Sequence, residues 1–157
     1  MPKKTAVIGA GSWGTTLAIH ASKCGHDVSL WVHSEDTLKT LVEKKVNEIY
    51  LPGFPLPDTV QPTSDAGCVS DADYVLFAVP SLHFRKTFSK IMPHLRDGSV
   101  LISSIKGMEP DTSLRISEIV RELSQDRFEF SVLSGPSFAT EVAQQNPTAV
   151  VIGSENK

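Results

Sequence analysis

Cysteine is nearly missing. Cys24 and Cys68 are the only two in 157 residues, they form no C-x-x-C, and two thiols cannot build a disulfide framework. Both are expected to be reduced and buried. A domain of this length buries roughly two-thirds of the surface its unfolded chain exposes, so its core needs neither disulfides nor a metal. There is no excess of positive charge either. With 15 basic and 18 acidic residues the formal net charge is -3 and the pI about 5.9, which leaves no electrostatic footprint for nucleic acid. Long hydrophobic runs are also missing. The longest stretch free of Lys, Arg, Asp and Glu, residues 5–22, follows Lys3 and Lys4 as a signal core would, but it holds Gly9, Gly11, Gly14, Ser12, Thr15, Thr16 and His20. It offers neither the ~20 apolar residues of a membrane span nor a clean apolar signal segment. A soluble, cytoplasmic protein without an integral membrane segment is expected. Internal repeats are not seen, and 40% hydrophobic with 21% charged residues is close to the globular average, so one domain over residues 1–157 is expected.

Within that domain, apolar and β-branched runs recur at residues 5–8, 28–32, 74–79, 100–105, 130–133 and 148–152, with helical stretches between them. Several are apolar on consecutive positions, as in Val75-Leu76-Phe77-Ala78-Val79, which is the pattern of strands covered on both faces. The fold class is α/β: a Rossmann-like, doubly wound, mostly parallel sheet with helices on both faces. Trp13, Leu17, Ala18, Ala21 and Cys24 share one face of a first helix that Gly25 ends. Ser34 is the expected N-cap of a second helix running to about Lys45. Pro52, Gly53, Pro55, Pro57 and Pro62 mark residues 47–64 as a long irregular connection. Further helices are expected over residues 65–70, 84–92, 113–123 and 137–144.

Gly9-Ala10-Gly11-Ser12-Trp13-Gly14 is a G-x-G-x-x-G set directly after a strand and directly before a helix. In that position Gly9 permits the turn, Gly11 lets a pyrophosphate approach the backbone, and Gly14 lets helix and strand pack closely. The free N–H groups of the helix start then face the phosphates, so a dinucleotide is expected, with S-adenosylmethionine the rival ligand. An acidic residue at the end of the second strand would select an unphosphorylated ribose, but that place is held by His33 and Ser34. NADP is therefore permitted and slightly favoured, while NAD stays open because Glu35 lies one step further on. Three more segments leave the strands on the ligand side: Val79-Pro80-Ser81, Ser103-Ser104-Ile105-Lys106-Gly107 and Ser134-Gly135-Pro136-Ser137, the last of which is expected to open a helix. Phe84 either covers a nicotinamide or packs beneath its helix. Lys106 either is solvated or pairs with phosphate or a carbonyl. No metal site is expected.

These segments together resemble the N-terminal domain of the NAD(P)-dependent glycerol-3-phosphate dehydrogenases of bacterial type. The resemblance rests on residues 9–18, Gly25-His26-Asp27-Val28 with Leu30-Trp31, Asn47 with Tyr50-Leu51-Pro52-Gly53, Val79-Pro80-Ser81, Lys106-Gly107, and Ser134-Gly135-Pro136-Ser137-Phe138-Ala139 with Glu141. It implies hydride transfer between a nicotinamide cofactor and the pair sn-glycerol 3-phosphate and dihydroxyacetone phosphate, supplying the phospholipid backbone. It also implies that Ser12, Trp13, His33 and Ala139 contact the cofactor, with Phe84 added as a candidate, that Lys106 touches cofactor and substrate, and that Gly135 and Ser137 face the substrate. Such a family continues past Lys157 into a helical substrate domain holding the proton-transferring lysine. No catalytic residue is therefore expected within these 157, which should bind cofactor without turnover. A stand-alone nucleotide-binding or redox-sensing module is the alternative. An apolar face bared near residues 134–152 would favour self-association, so a homodimer is among the expected partners.

Overall fold

Alternation along the first strand sets the layers. In β1 (Lys4–Ile8), Ala6 and Ile8 face one side of the sheet and Val7 the other, and none of the three has exposed surface. The computed structural model describes residues 2–155. After β1 come α1 (Ser12–Lys23), β2 (Asp27–Trp31), α2 (Glu35–Lys44), β3 (Val46–Asn47), β4 (Leu51–Pro55) and β5 (Val60–Thr63). The rest of the chain forms β6 (Tyr74–Phe77), α3 (Ser81–Ile91), β7 (Val100–Ser103), α4 (Ile116–Ser124), β8 (Glu129–Ser134), α5 (Ala139–Ala143) and β9 (Val151–Ser154). Single 3-10 turns lie at Ala66–Val69 and Met92–His94.

Seven strands form one sheet in the order β5-β2-β1-β6-β7-β8-β9, parallel throughout except for the antiparallel pair β8–β9. The order reverses between β1 and β6, and in open α/β sheets that reversal leaves a crevice at the carboxyl ends of the strands. The fold is the doubly wound Rossmann arrangement expected. On one face Phe77 of β6 packs edge-on against Phe84 and Phe88 of α3, with ring centroids 5.3 and 5.7 Å apart, and α4 adds Ile116, Ile119 and Val120. On the other face α1, α2 and α5 cover Val7, Leu30 and Val60.

Several expectations are corrected. Residues 47–64 are not irregular: β3 and β4 make a two-stranded antiparallel ribbon, and β5 is the edge strand of the main sheet. Pro62 sits within β5 opposite Leu30, which a strand tolerates at an edge. The sheet therefore has seven strands where six were expected. α4 begins at Ile116, three residues late, because Ser113 takes a left-handed φ of 58° and the Glu118 carboxylate accepts from the Arg115 N–H at 2.8 Å, fixing the helix start there. The last helix is only Ala139–Ala143, and the last strand is shifted to Val151–Ser154. α1 buries Gly14, Thr15, Thr16, Leu17, Ala18, Ile19 and Ser22, so its core face mixes small residues with Leu17 and Ile19 and does not include Trp13 or Cys24. Cys24 is exposed and Cys68 half-buried, where burial first and Asp65 second push its thiol up to about 11.

Candidate nucleotide-binding site

The loop from β1 into α1 is shaped by three different demands on its glycines. Gly9 has φ +115° and a side chain there would meet the Ala78 carbonyl oxygen at 2.8 Å, so the residue that follows β6 closes on it directly. A Cβ on Gly14 would lie 1.8 Å from the Gly9 oxygen, so α1 rests on the turn itself. Gly11 is the opposite case. Nothing lies within 4 Å of its would-be Cβ, and no side chain caps the helix that it starts. The first N–H groups of α1 are thus left for a ligand, and the backbone beside them is open to a group as large as a pyrophosphate. These residues fit a nicotinamide dinucleotide.

Asn47 holds this loop in place. It is 1% exposed, and its amide donates to the Ala10 carbonyl at 2.9 Å and to the Thr15 hydroxyl at 2.7 Å, while its own oxygen accepts from the Tyr50 N–H at 3.2 Å. One residue from the small ribbon thus fixes both the turn and the first turn of α1. On the other side, the Thr16 hydroxyl lies 2.9 Å from the Ser12 carbonyl oxygen and 3.1 Å from that of Ala139, which ties α5 to the loop. Sequence reasoning did not single out Asn47 as a functional residue, because a lone Asn in a Pro-rich stretch has no periodicity to mark its burial.

In front of the loop lies a cavity of about 440 Å³ walled by Gly9, Gly11, His33, Ser34, Val79 and Pro80, with Tyr50, His83, Lys86 and Lys90 completing it. Ser34 caps α2 through the Thr37 N–H at 3.3 Å. Glu35 and Asp36 open that helix but do not line the cavity. Trp31 is 2% exposed, its indole N–H donating to the Ser64 carbonyl at 3.1 Å, with the His33 ring at 5.9 Å and the Lys90 ammonium 5.2 Å over the ring. Trp13 lies outside this cavity. It lines an apolar hollow of about 590 Å³ between α1, α5 and β9.

At the carboxyl ends of the neighbouring parallel strands β7 and β8, the turns that follow them meet. The Lys106 ammonium is 3.4 Å from the Gly135 carbonyl oxygen, which also accepts from the Ser137 N–H at 2.9 Å, so Lys106, Gly135 and Ser137 form one rim. The turn that follows Lys106 is clamped from α3: Arg85 donates to both oxygens of Glu109 at 2.8 and 2.9 Å and to Glu122 at 2.8 Å. The Arg85 guanidinium, followed by the Thr112 hydroxyl, holds the Glu109 carboxyl down at about 2.

Two site expectations are corrected by packing. Phe84 has no exposed surface and stacks on Phe88 at 5.5 Å, so it belongs to the core and has no face to offer a cofactor. Ser137 does not open a helix, since α5 starts two residues later and is five residues long, too short to present an anion-holding N-terminus there. Among the described residues no helix is long and apolar enough to cross a membrane.

The profile for the N-terminus of NAD-dependent glycerol-3-phosphate dehydrogenase matches residues 4–157. The chain belongs to this family. Glycerol-3-phosphate dehydrogenase (NAD(P)+) of Hydrogenovibrio crunogenus is 44% identical over 161 aligned residues, covering 99% of this chain and 46% of that protein. That of Legionella pneumophila strain Corby is 42% identical over 158, covering 99% and 47%. The crystal structure of the Coxiella burnetii glycerol-3-phosphate dehydrogenase superposes with a TM-score of 0.92 at 34% identity, over 99% of this chain and 47% of that one. The chain thus spans a little under half the length of these relatives.

Proposed function

We propose that this chain is the cofactor-binding half of an NAD(P)-dependent glycerol-3-phosphate dehydrogenase, binding NADP in preference to NAD. The observation that carries this reading is the open backbone of Gly11 at the start of α1, which shares the wall of one cavity with His33 and Ser34 at the strand-order reversal. Gly9, Gly11, Ser12, Gly14 and the backbone N–H of Trp13 would hold the pyrophosphate and the nicotinamide side of the cofactor, His33 and Ser34 the adenosine side, and Ala139 would close the loop from α5. A bound nicotinamide supplies or accepts hydride. Lys106 would face cofactor and substrate together, its ammonium drawing the phosphorylated substrate in, while Gly135 and Ser137 would line the substrate. NADP is favoured because no carboxylate lines the cavity at the end of β2, so nothing there repels a 2'-phosphate.

In this reading the substrates are sn-glycerol 3-phosphate and dihydroxyacetone phosphate, the setting is cytoplasmic glycerophospholipid synthesis, and the apolar surface at Phe138 and residues 150–152 is where a homodimer would form. The 157 residues alone bind nucleotide without turnover, since a positioned proton donor is worth about 10²- to 10⁴-fold and none of the rim groups is assigned that task. Calorimetric titration with NADPH, NADH and S-adenosylmethionine tests the reading. NADPH binds most tightly if it is right. Binding of S-adenosylmethionine alone, or of neither nicotinamide, would refute it, and oxidation of NADPH dependent on dihydroxyacetone phosphate would refute the lack of turnover.

A further inference from the structure

Helix α3 carries three faces with three different fates. Phe84, Phe88 and Ile91 are fully buried in the core. Arg85 is occupied by Glu109 and Glu122. His83, Lys86 and Lys90, spaced by three and four residues, line the nucleotide cavity together with Trp31 and His33 at the end of β2.

We propose that Lys86 and Lys90 hold the 2'-phosphate of the cofactor's adenosine ribose, so that the choice between phosphorylated and unphosphorylated nucleotide is made by α3 as well as by the turn after β2. The proposal rests on the nucleotide-binding reading above and deepens it. Among the described residues Lys86 has no ion pair and no side-chain hydrogen bond, although carboxylates engage Arg85 one position away. Among the described residues Lys90 likewise has no ion pair, and its ammonium lies 5.2 Å over the centroid of the Trp31 ring. That ring is itself fixed through Ser64 and carries His33 at 5.9 Å, so Lys90, Trp31 and His33 form one assembly at the end of β2. Two ammonium groups one helical turn apart repel each other, and the cavity supplies no carboxylate to offset them. A phosphomonoester carrying about -1.5 to -2 charge at neutral pH and three acceptor oxygens matches that deficit. An unphosphorylated ribose does not, because its recognition calls for an acceptor at this place.

The test is titration of the 157-residue chain with NADPH, NADH, 2',5'-ADP and 5'-AMP, with melting temperature as the check on folding. The wild type is expected to favour each 2'-phosphorylated member of the two pairs by about tenfold or more. Lys86→Gln and Lys90→Met should each remove about tenfold of affinity for NADPH and 2',5'-ADP and leave NADH and 5'-AMP unchanged. Lys90→Arg, which keeps both the charge and the stacking on Trp31, should retain the preference and serves if Lys90→Met folds poorly. Raising the ionic strength should narrow the wild-type preference and leave that of the double variant unaltered. Parallel loss of NADPH and NADH affinity would assign the lysines to the pyrophosphate and overturn the proposal. So would a preference that survives both substitutions. Equal wild-type binding of the two nucleotides would overturn it while leaving the nucleotide site standing, whereas failure to bind either would overturn the underlying reading as well.

Discussion

Gly14→Ala and Gly11→Ser place one small side chain at two points of the same loop and should have opposite consequences. At Gly14 the new Cβ would lie 1.8 Å from the Gly9 oxygen and 3.0 Å from its carbonyl carbon, both backbone atoms that no rotamer change can move. Helix and turn must separate, and overpacking of this kind costs about 1–3 kcal/mol or more. The better helix propensity of Ala returns at most about 1 kcal/mol. The net loss of roughly 2 kcal/mol corresponds to a fall in Tm of about 4–8 °C for a domain of this size. At Gly11 the backbone is extended, with φ -72° and ψ -177°, and the space is open, so serine enters without strain and is a better N-cap by a few tenths of a kcal/mol. Its hydroxyl would then occupy the room meant for phosphate and cap the N–H groups that would face it. Tm should be unchanged or slightly raised while NADPH affinity falls about tenfold or more. Paired thermal melts and nucleotide titrations decide the matter. Wild-type stability in Gly14→Ala, or wild-type affinity in Gly11→Ser, would refute the account of the loop.

Asn47→Ala removes three hydrogen bonds from a buried site and should cost about 3 kcal/mol by urea unfolding. Asn47→Asp keeps the acceptor for Tyr50 but sets a carboxylate oxygen against the Ala10 carbonyl, so it should be no better than alanine; wild-type stability in either variant would contradict the pinning role. Glu109 titrates near 2 when folded instead of its ordinary 4.5, so the stability it contributes is present above about pH 4.5 and is lost as pH falls toward 2. Glu109→Gln should flatten that part of the acid unfolding profile, and an unaltered profile would show the Arg85 clamp to be idle. Val151 is 67% and Phe138 69% exposed, so Val151→Lys with Phe138→Ser should reduce any self-association seen by light scattering. Self-association that persists in the double variant would place the contact elsewhere.

The glycine loop, the helix it starts and the Gly25 stop could be read directly from the sequence, because each is a local device within ten residues of its neighbours. So could the rim of Lys106, Gly135 and Ser137, since strand ends in a parallel sheet all arrive on one edge. The stretch from Asn47 to Ser64 could not. Its strands are two to five residues long and rich in proline, and only their partners, β2 for one and each other for the rest, make them strands. Phe84 carried two meanings for a similar reason: an apolar residue near a strand end reads alike whether it faces a ligand or the core, and α3 starting at Ser81 turned it inward. The same early start brought His83 into line with Lys86 and Lys90 on the cavity side, the one member of that stripe that a helix over residues 84–92 leaves out.

The two tryptophans stand on different sides of one loop, Trp31 in the wall of the nucleotide cavity and Trp13 over the apolar hollow beside α5. They are therefore two independent optical reporters built into the chain. Emission from Trp31, seen alone in Trp13→Phe, will register a nucleotide arriving in front of the loop, while Trp13, seen alone in Trp31→Phe, will register whatever covers the hollow behind it. One fluorescence titration can thus separate occupancy of the crevice from association across the opposite surface.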